Sequence, residues 1–222
     1  MKIIDIIFDK NFTSLDETFR FNGLSLKRPE SVSQHTYWVL LFAYLILDEM
    51  YGLSTEEGRK YLPLSWDIMG VCLFHDFDES LTGDVIFNFK HNAYNGDVIR
   101  AAIKDFVEKV LLVQYRYKEN LGNKIYDLVS GFKKEQEIIK RFVKICDWLA
   151  CYKYEWQEVN RGGTMKQWYY IMKTSMECLI NEINAFIVCL GVPPDCFKFT
   201  ILLDILLYCK EDISKLNMQY EG

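Results

Sequence analysis

The sequence is poor in proline and lacks any CxxC pair. Only four prolines occur in 222 residues, and half of all residues are hydrophobic. That excludes a disordered polymer and points to a compact folded chain. The seven cysteines (72, 146, 151, 178, 189, 196 and 209) form an odd set without a CxxC pair. Several, such as Cys72 in Val71-Cys72-Leu73, fall inside apolar helical patterns, so reduced, buried thiols in a cytoplasm are expected. Long apolar runs are missing too. The longest, Tyr37 to Leu47, is far shorter than the approximately 20 residues that span a bilayer, so no membrane segment is expected. Residues 1 to 10 lack a basic region ahead of a long apolar run, so no signal peptide is expected. Nor is positive charge in excess: a net charge of -5 and a pI near 5.3 argue against extended nucleic acid or an anionic membrane as partner. Sustained period-two alternation and internal repeats are absent, which leaves an all-α fold.

The length suits one domain, or at most two small ones, with a substantial core. A short helix is predicted around Ser14 to Arg20, followed by the polar connection FNGLSLKRPE. Ser31 or Ser33 can cap the next helix, whose apolar face begins at Val32 and carries His35 in its first turns. A further helix is predicted from Ser65 to Glu79. It is apolar almost all round, which places it in the middle of a bundle. Residues 80 to 97 look irregular. Helical patterns then cover Val98 to Leu112, Lys124 to Val129 and Lys133 to Asn160, the last stopped by Arg161-Gly162-Gly163. Met165 to Leu190 and Phe197 to Tyr208 are separated by GVPPD. Glu211 to Gly222 is expected to be peripheral.

Among only three histidines, His75 opens the densest polar stretch of the chain, HDFDESLTGD (His75 to Asp84). Adjacent His75 and Asp76 on one helix project about 100° apart and can both reach an ion at the helix end. They are too few to hold it. A divalent ion takes about four donors, and mixed imidazole and carboxylate ligation suits a transition metal such as Zn, Mn, Fe or Co. The remaining donors must come from elsewhere in the chain. His35 reads either as a ligand or as a helix-start histidine with an ordinary hydrogen bond. Asp147 falls beside the apolar stripe of its helix, either as a ligand or as a polar residue at the stripe's edge. Together the four give two imidazoles and two carboxylates on three predicted helices.

The order of these residues, H…HD…D, resembles that of the HD-domain metal-dependent phosphohydrolases. The local text is similar to their bacterial 5′-deoxynucleotidase branch: Arg20-Phe21, SVSQH (Ser31 to His35), HDFDESLTGD, Lys90, and KICDWLACYKYEWQE (Lys144 to Glu158). The bare order is weakly specific; HDxxExxTGD with SVSxH about 40 residues earlier is much stronger. The resemblance spans residues 15 to 160. It implies a single-domain helical bundle of the HD type over 1–222, with residues 161–222 forming C-terminal helices packed on it. Gln34 stands where the family often has glutamate, Phe21 where tryptophan is common, and VIFNFK where a proline-containing segment precedes the lysine. These departures bear on substrate choice and leave the ligands intact.

The resemblance implies one divalent transition metal on His35, His75, Asp76 and Asp147, and a deoxynucleotide substrate. Glu79, three residues after Asp76, is the expected general acid/base. Arg20 and Lys90 are expected on the phosphate. Asp84 is expected on a sugar hydroxyl or the attacking water, or else as a turn-stabilising aspartate. Phe21 is expected against the sugar, or else in core packing. His91 is left out of the site, and Asp78 is read as solvated. The reaction implied is release of phosphate from deoxynucleoside 5′-monophosphates. The alternatives are a deoxynucleoside triphosphohydrolase releasing tripolyphosphate and a non-catalytic nucleotide-binding HD protein. A homodimer is a family expectation.

Overall fold

The computed structural model describes residues 10–21, 24–83, 96–114, 137–162, 165–191 and 200–220. The fold is all-α, and among the described residues the only extended pairing is an isolated bridge between Phe19 and Ser31. Asp84, Lys90, His91, Cys196 and the predicted piece Lys124 to Val129 lie outside the described residues. Two compact units are present: Met1–Leu24, Pro29–Thr36 and Leu73–Phe132 form one, and Ser25–Arg28, Tyr37–Cys72 and Lys133–Gly222 the other.

In the first unit, α1 (Lys10–Glu17) ends where the Thr18 hydroxyl donates back to the Ser14 carbonyl at 2.9 Å. The predicted helix over Ser14 to Arg20 therefore sits too late. Residues 18 to 20 leave the helix because their backbone groups pair elsewhere. Arg20 N–H donates to the Glu30 carbonyl at 2.9 Å and Val32 N–H to the Thr18 carbonyl at 2.8 Å. Phe21 follows with φ of 58°, a left-handed conformation uncommon for a bulky residue.

α2 (Val32–Tyr51) starts in this unit behind a capping box. Gln34 N–H donates to Ser31 Oγ, and Ser31 N–H donates to Gln34 Oε1, each at 3.3 Å. Two orphan donors of the first turn are thus answered reciprocally. Glutamine makes this hydrogen-bond exchange as glutamate would.

The helix predicted from Ser65 to Glu79 is split: α3 (Leu62–Phe74), which belongs to the second unit up to Cys72, stops before the histidine, and α4 (Glu79–Thr82), in the first unit, is a single turn. Residues 75 to 78 close through tight bonds, Phe77 N–H to the Phe74 carbonyl and Glu79 N–H to the Asp76 carbonyl. The turn drives Phe77 into the core and against Phe74, ring centroids 5.8 Å apart. Nor is α3 enclosed on all sides. It buries Ser65, Ile68, Val71 and Cys72, while Trp66 remains 69% exposed. An apolar composition did not translate into all-round burial, because the packed face follows the i, i+3, i+7 rows alone. Ser14 Oγ donates to the Ser80 carbonyl at 3.2 Å and ties α1 to α4. α5 (Gly96–Gln114) completes the described part of this unit.

In the second unit, α6 (Glu137–Asn160), α7 (Met165–Leu190) and α8 (Thr200–Tyr220) pack in sequence, α7 lying against both others. Phe142 of α6 meets Phe186 of α7 at 5.6 Å between ring centroids, and Tyr154 meets Trp168 edge-on at 6.1 Å. The segment from Glu211 is helical as far as Tyr220, and the Tyr152 hydroxyl donates to Asp212. Burial, and then that carboxylate, push the Tyr152 pKa far above its ordinary range.

Among the described residues Cys72, Cys146, Cys151 and Cys209 are buried thiols outside any disulfide, and Cys178 and Cys189 are more accessible thiols. Burial, then the neighbouring Cys72, holds the Cys146 thiol well above the ordinary range, which keeps it protonated. No described helix is long and apolar enough to cross a membrane.

One buried carboxylate in this unit joins segments far apart in sequence. Glu158, fully buried near the end of α6, accepts the backbone N–H groups of Lys27 at 2.6 Å and Arg28 at 3.0 Å. Arg161 donates to the same carboxylate at 3.3 Å, and the Tyr154 hydroxyl donates to the Arg28 carbonyl at 2.9 Å. Hydrogen bonds to an ionised group contribute about 1.5–3 kcal/mol each, and deleting one partner strands the others. Glu158→Ala is therefore expected to lower stability by about 2–3 kcal/mol, read as a lower urea midpoint at unchanged slope. A midpoint equal to wild type would show that the 25–28 segment is held by other means.

Candidate metal centre

The turn after α3 presents His75 and Asp76, and the first turn of α2 presents His35, so the short bridge at Ser31 and the break at residue 75 together build the site. One donor atom from each of His35, His75 and Asp76 lies within 4.8 Å of the others. Asp76 Oδ2 is the meeting point. It is 3.2 Å from His75 Nε2 and 3.9 Å from His35 Nε2, and the two rings sit 5.6 Å apart and tilted by 47°. His35 is fully buried. Two imidazoles and a carboxylate aimed at a common point, in a partly dehydrated pocket, are a donor set that fits a divalent transition metal.

Arg20 is the cation of the site. Its guanidinium donates to Asp76 Oδ2 at 3.0 Å. The backbone bond from Arg20 to Glu30 fixes where that side chain starts. Phe21 is half-buried, and its ring centroid is 5.9 Å from the Arg20 guanidinium carbon. Glu79 opens α4 and is only 5% exposed. The expectation that it shares a continuous helix with Asp76 is corrected by the turn. The bond from Glu79 N–H to the Asp76 carbonyl, at 3.0 Å, still holds the two residues one tight turn apart. Asp78 is half-buried, and its carbonyl accepts the Thr82 hydroxyl.

Asp147 belongs to the second unit. It faces inward on α6, with Lys144 Nζ 2.7 Å from its Oδ2 and the Cys151 thiol 3.9 Å from its Oδ1. The sequence reading did not anticipate that the lysine three residues earlier would neutralise this carboxylate, although the i, i+3 spacing carries the signal.

A second residue also went unnoticed. Glu30 is buried to 4% exposure, and its Oε2 is 3.7 Å from His35 Nδ1. In the sequence it ends a polar connection, and nothing local marks it as buried.

The family model described as an HD domain matches residues 13–183. No curated protein matches the sequence. Among solved structures, the chain is similar to the crystal structure of an HD-domain phosphohydrolase from Listeria innocua. The TM-score is 0.63 and the identity 15%, covering 99% of this chain and 95% of that one. At that identity the likeness concerns the fold.

Proposed function

Because the chain belongs to the HD-domain family, we propose that it is a metal-dependent phosphohydrolase releasing phosphate from deoxynucleoside 5′-monophosphates. The observation that supports this reading best is the convergence of two imidazoles and the Arg20 guanidinium on one carboxylate, Asp76.

His35, His75 and Asp76 would hold the ion, with Asp147 as the fourth ligand on the family pattern. A bound divalent ion supplies charge neutralisation at the phosphate and lowers the pKa of a water from 15.7 toward about 7. Arg20 binds phosphate. Its planar fork, which rests on Asp76 Oδ2, matches two phosphate oxygens as well as it matches a carboxylate. Glu79, buried beside the ligand turn, exchanges a proton with the attacking water or the leaving oxygen. Phe21 packs on the sugar, and its left-handed backbone fixes the direction in which the ring leaves the chain. Asp84 and Lys90 complete the pocket on the family pattern, on a sugar hydroxyl and a phosphate oxygen respectively.

A second reading is a deoxynucleoside triphosphohydrolase. That reaction needs cations beyond the first phosphate, for which Lys27, Arg28 and Lys90 are the candidates in the sequence.

The metal-loaded protein should be incubated with ribo- and deoxynucleoside mono- and triphosphates and the released product identified. Orthophosphate from deoxynucleoside monophosphates is the expected result. Tripolyphosphate from deoxynucleoside triphosphates would replace the first reading with the second. No product from any substrate, on protein shown to contain Mn, Co or Zn, would leave a nucleotide-binding protein in place of an enzyme.

A further inference from the structure

Glu30 belongs neither to the ligand set nor to the substrate contacts, yet its carboxylate is buried against the most buried histidine of the site. Its Oε2 lies 3.7 Å from His35 Nδ1, while the other side of the same ring, Nε2, faces Asp76 Oδ2 at 3.9 Å. A carboxylate taken out of water is costly unless its charge is answered. Its position is not accidental either. The Glu30 carbonyl accepts Arg20 N–H, the next residue is the α2 cap Ser31, and His35 N–H donates to the Ser31 carbonyl at 3.0 Å. One stretch of backbone thus sets the carboxylate, the imidazole and the start of the arginine.

We propose that Glu30 is the positioning residue of the metal centre, accepting the Nδ1 proton of His35 so that Nε2 is the ring's donor. The inference rests on His35 being a ligand. A neutral imidazole that ligates through one nitrogen carries its proton on the other, and the acceptor of that proton fixes both tautomer and ring orientation. Metal-ligating histidines pass it to a carboxylate, a carbonyl or water, and a carboxylate also raises the basicity of the ring. At 3.7 Å the pair stands at ion-pair distance. A closing movement of under ~1 Å brings it into the hydrogen-bond range. Arg20 reaches Asp76 from the same backbone, so Glu30 sits where ligand geometry and phosphate binding are set together.

The test is a titration of metal-free wild type, Glu30→Gln, Glu30→Ala and His35→Ala with Co²⁺ alone. It is read by the visible absorption of the bound ion and by competition with a chelator, beside thermal unfolding of each metal-free protein. Wild type should bind. His35→Ala should lose most affinity. Glu30→Gln should bind about tenfold more weakly and Glu30→Ala up to about 100-fold, the range typical for a partner of a ligand. The Glu30→Gln spectrum should shift, and its metal-free unfolding midpoint should stay close to wild type. Wild-type affinity and spectrum in Glu30→Gln, with His35→Ala impaired, would overturn the role of Glu30 and leave the metal centre standing. So would a fall in metal-free stability without a fall in affinity, which would mark a structural carboxylate. No Co²⁺ binding by wild type, or full binding by His35→Ala, would instead overturn the ligand assignment itself.

Discussion

Asp76→Ala is expected to lose bound metal and turnover together. Asp76 Oδ2 is where His75, His35 and Arg20 meet, at 3.2, 3.9 and 3.0 Å. Alanine removes the carboxylate on which all three converge. The imidazoles that remain stand beside the Arg20 guanidinium without the carboxylate that offset it, and its positive charge disfavours a metal cation there. Loss of affinity should therefore exceed the roughly 10- to 100-fold that follows from losing a partner of a ligand. Turnover should fall by more than about 10³-fold, since the reference reaction of phosphate esters is among the slowest known. Metal content after desalting and phosphate release at saturating substrate provide the two readings. A variant that kept one ion per chain would remove Asp76 from the ligand set. One that lost the ion yet hydrolysed substrate at the wild-type rate would remove the metal from the reaction.

Much of the architecture that carries this site was legible because it is written in local signals. Met165–Leu190 emerged with its observed bounds, since Gly191 with φ of 65° is a natural stop and prolines follow. Ser31 or Ser33 was legible as a cap, of which the structure uses Ser31, and so was the placement of His35 in the first turns of α2. The long helix that carries Asp147 showed its stripe at Phe142, Val143, Cys146 and Ala150, all buried. Asp147 itself proved to face inward, the alternative that a polar residue beside a stripe leaves open.

What was misread depends on partners distant in sequence. The helix break before His75 is enforced by Phe77 entering the core, and no helix-breaking residue between 74 and 79 signals it. α1 ends early because Arg20 N–H bonds to the Glu30 carbonyl and Val32 N–H to the Thr18 carbonyl, pairings between distant residues that a propensity scan does not see. Glu30 and Glu158 look like ordinary surface glutamates on the page. Glu158 is identified only by two N–H groups about 130 residues away, and Glu30 only by the imidazole beside it. Buried carboxylates of this kind have no periodic signature. They are found by asking which charge a folded neighbourhood has to answer.

Glu79→Gln is the variant that separates the ion from the proton. Glutamine keeps the volume of the side chain and its place at the start of α4. The backbone bond from residue 79 to the Asp76 carbonyl does not involve the side chain and should persist. The ligand turn is therefore preserved, and metal content should match wild type. The amide cannot take up or deliver a proton, so the contribution of general acid/base catalysis disappears, about 10²- to 10⁴-fold in kcat. KM should change much less, since Arg20 and the ligand residues remain to bind phosphate. The pattern is opposite to that of Asp76→Ala, where ion and turnover vanish together. Full activity in Glu79→Gln would move the proton transfer to another group. Loss of the ion in Glu79→Gln would show that this buried carboxylate, one tight turn from Asp76, helps to hold the metal and does not act on the water it binds.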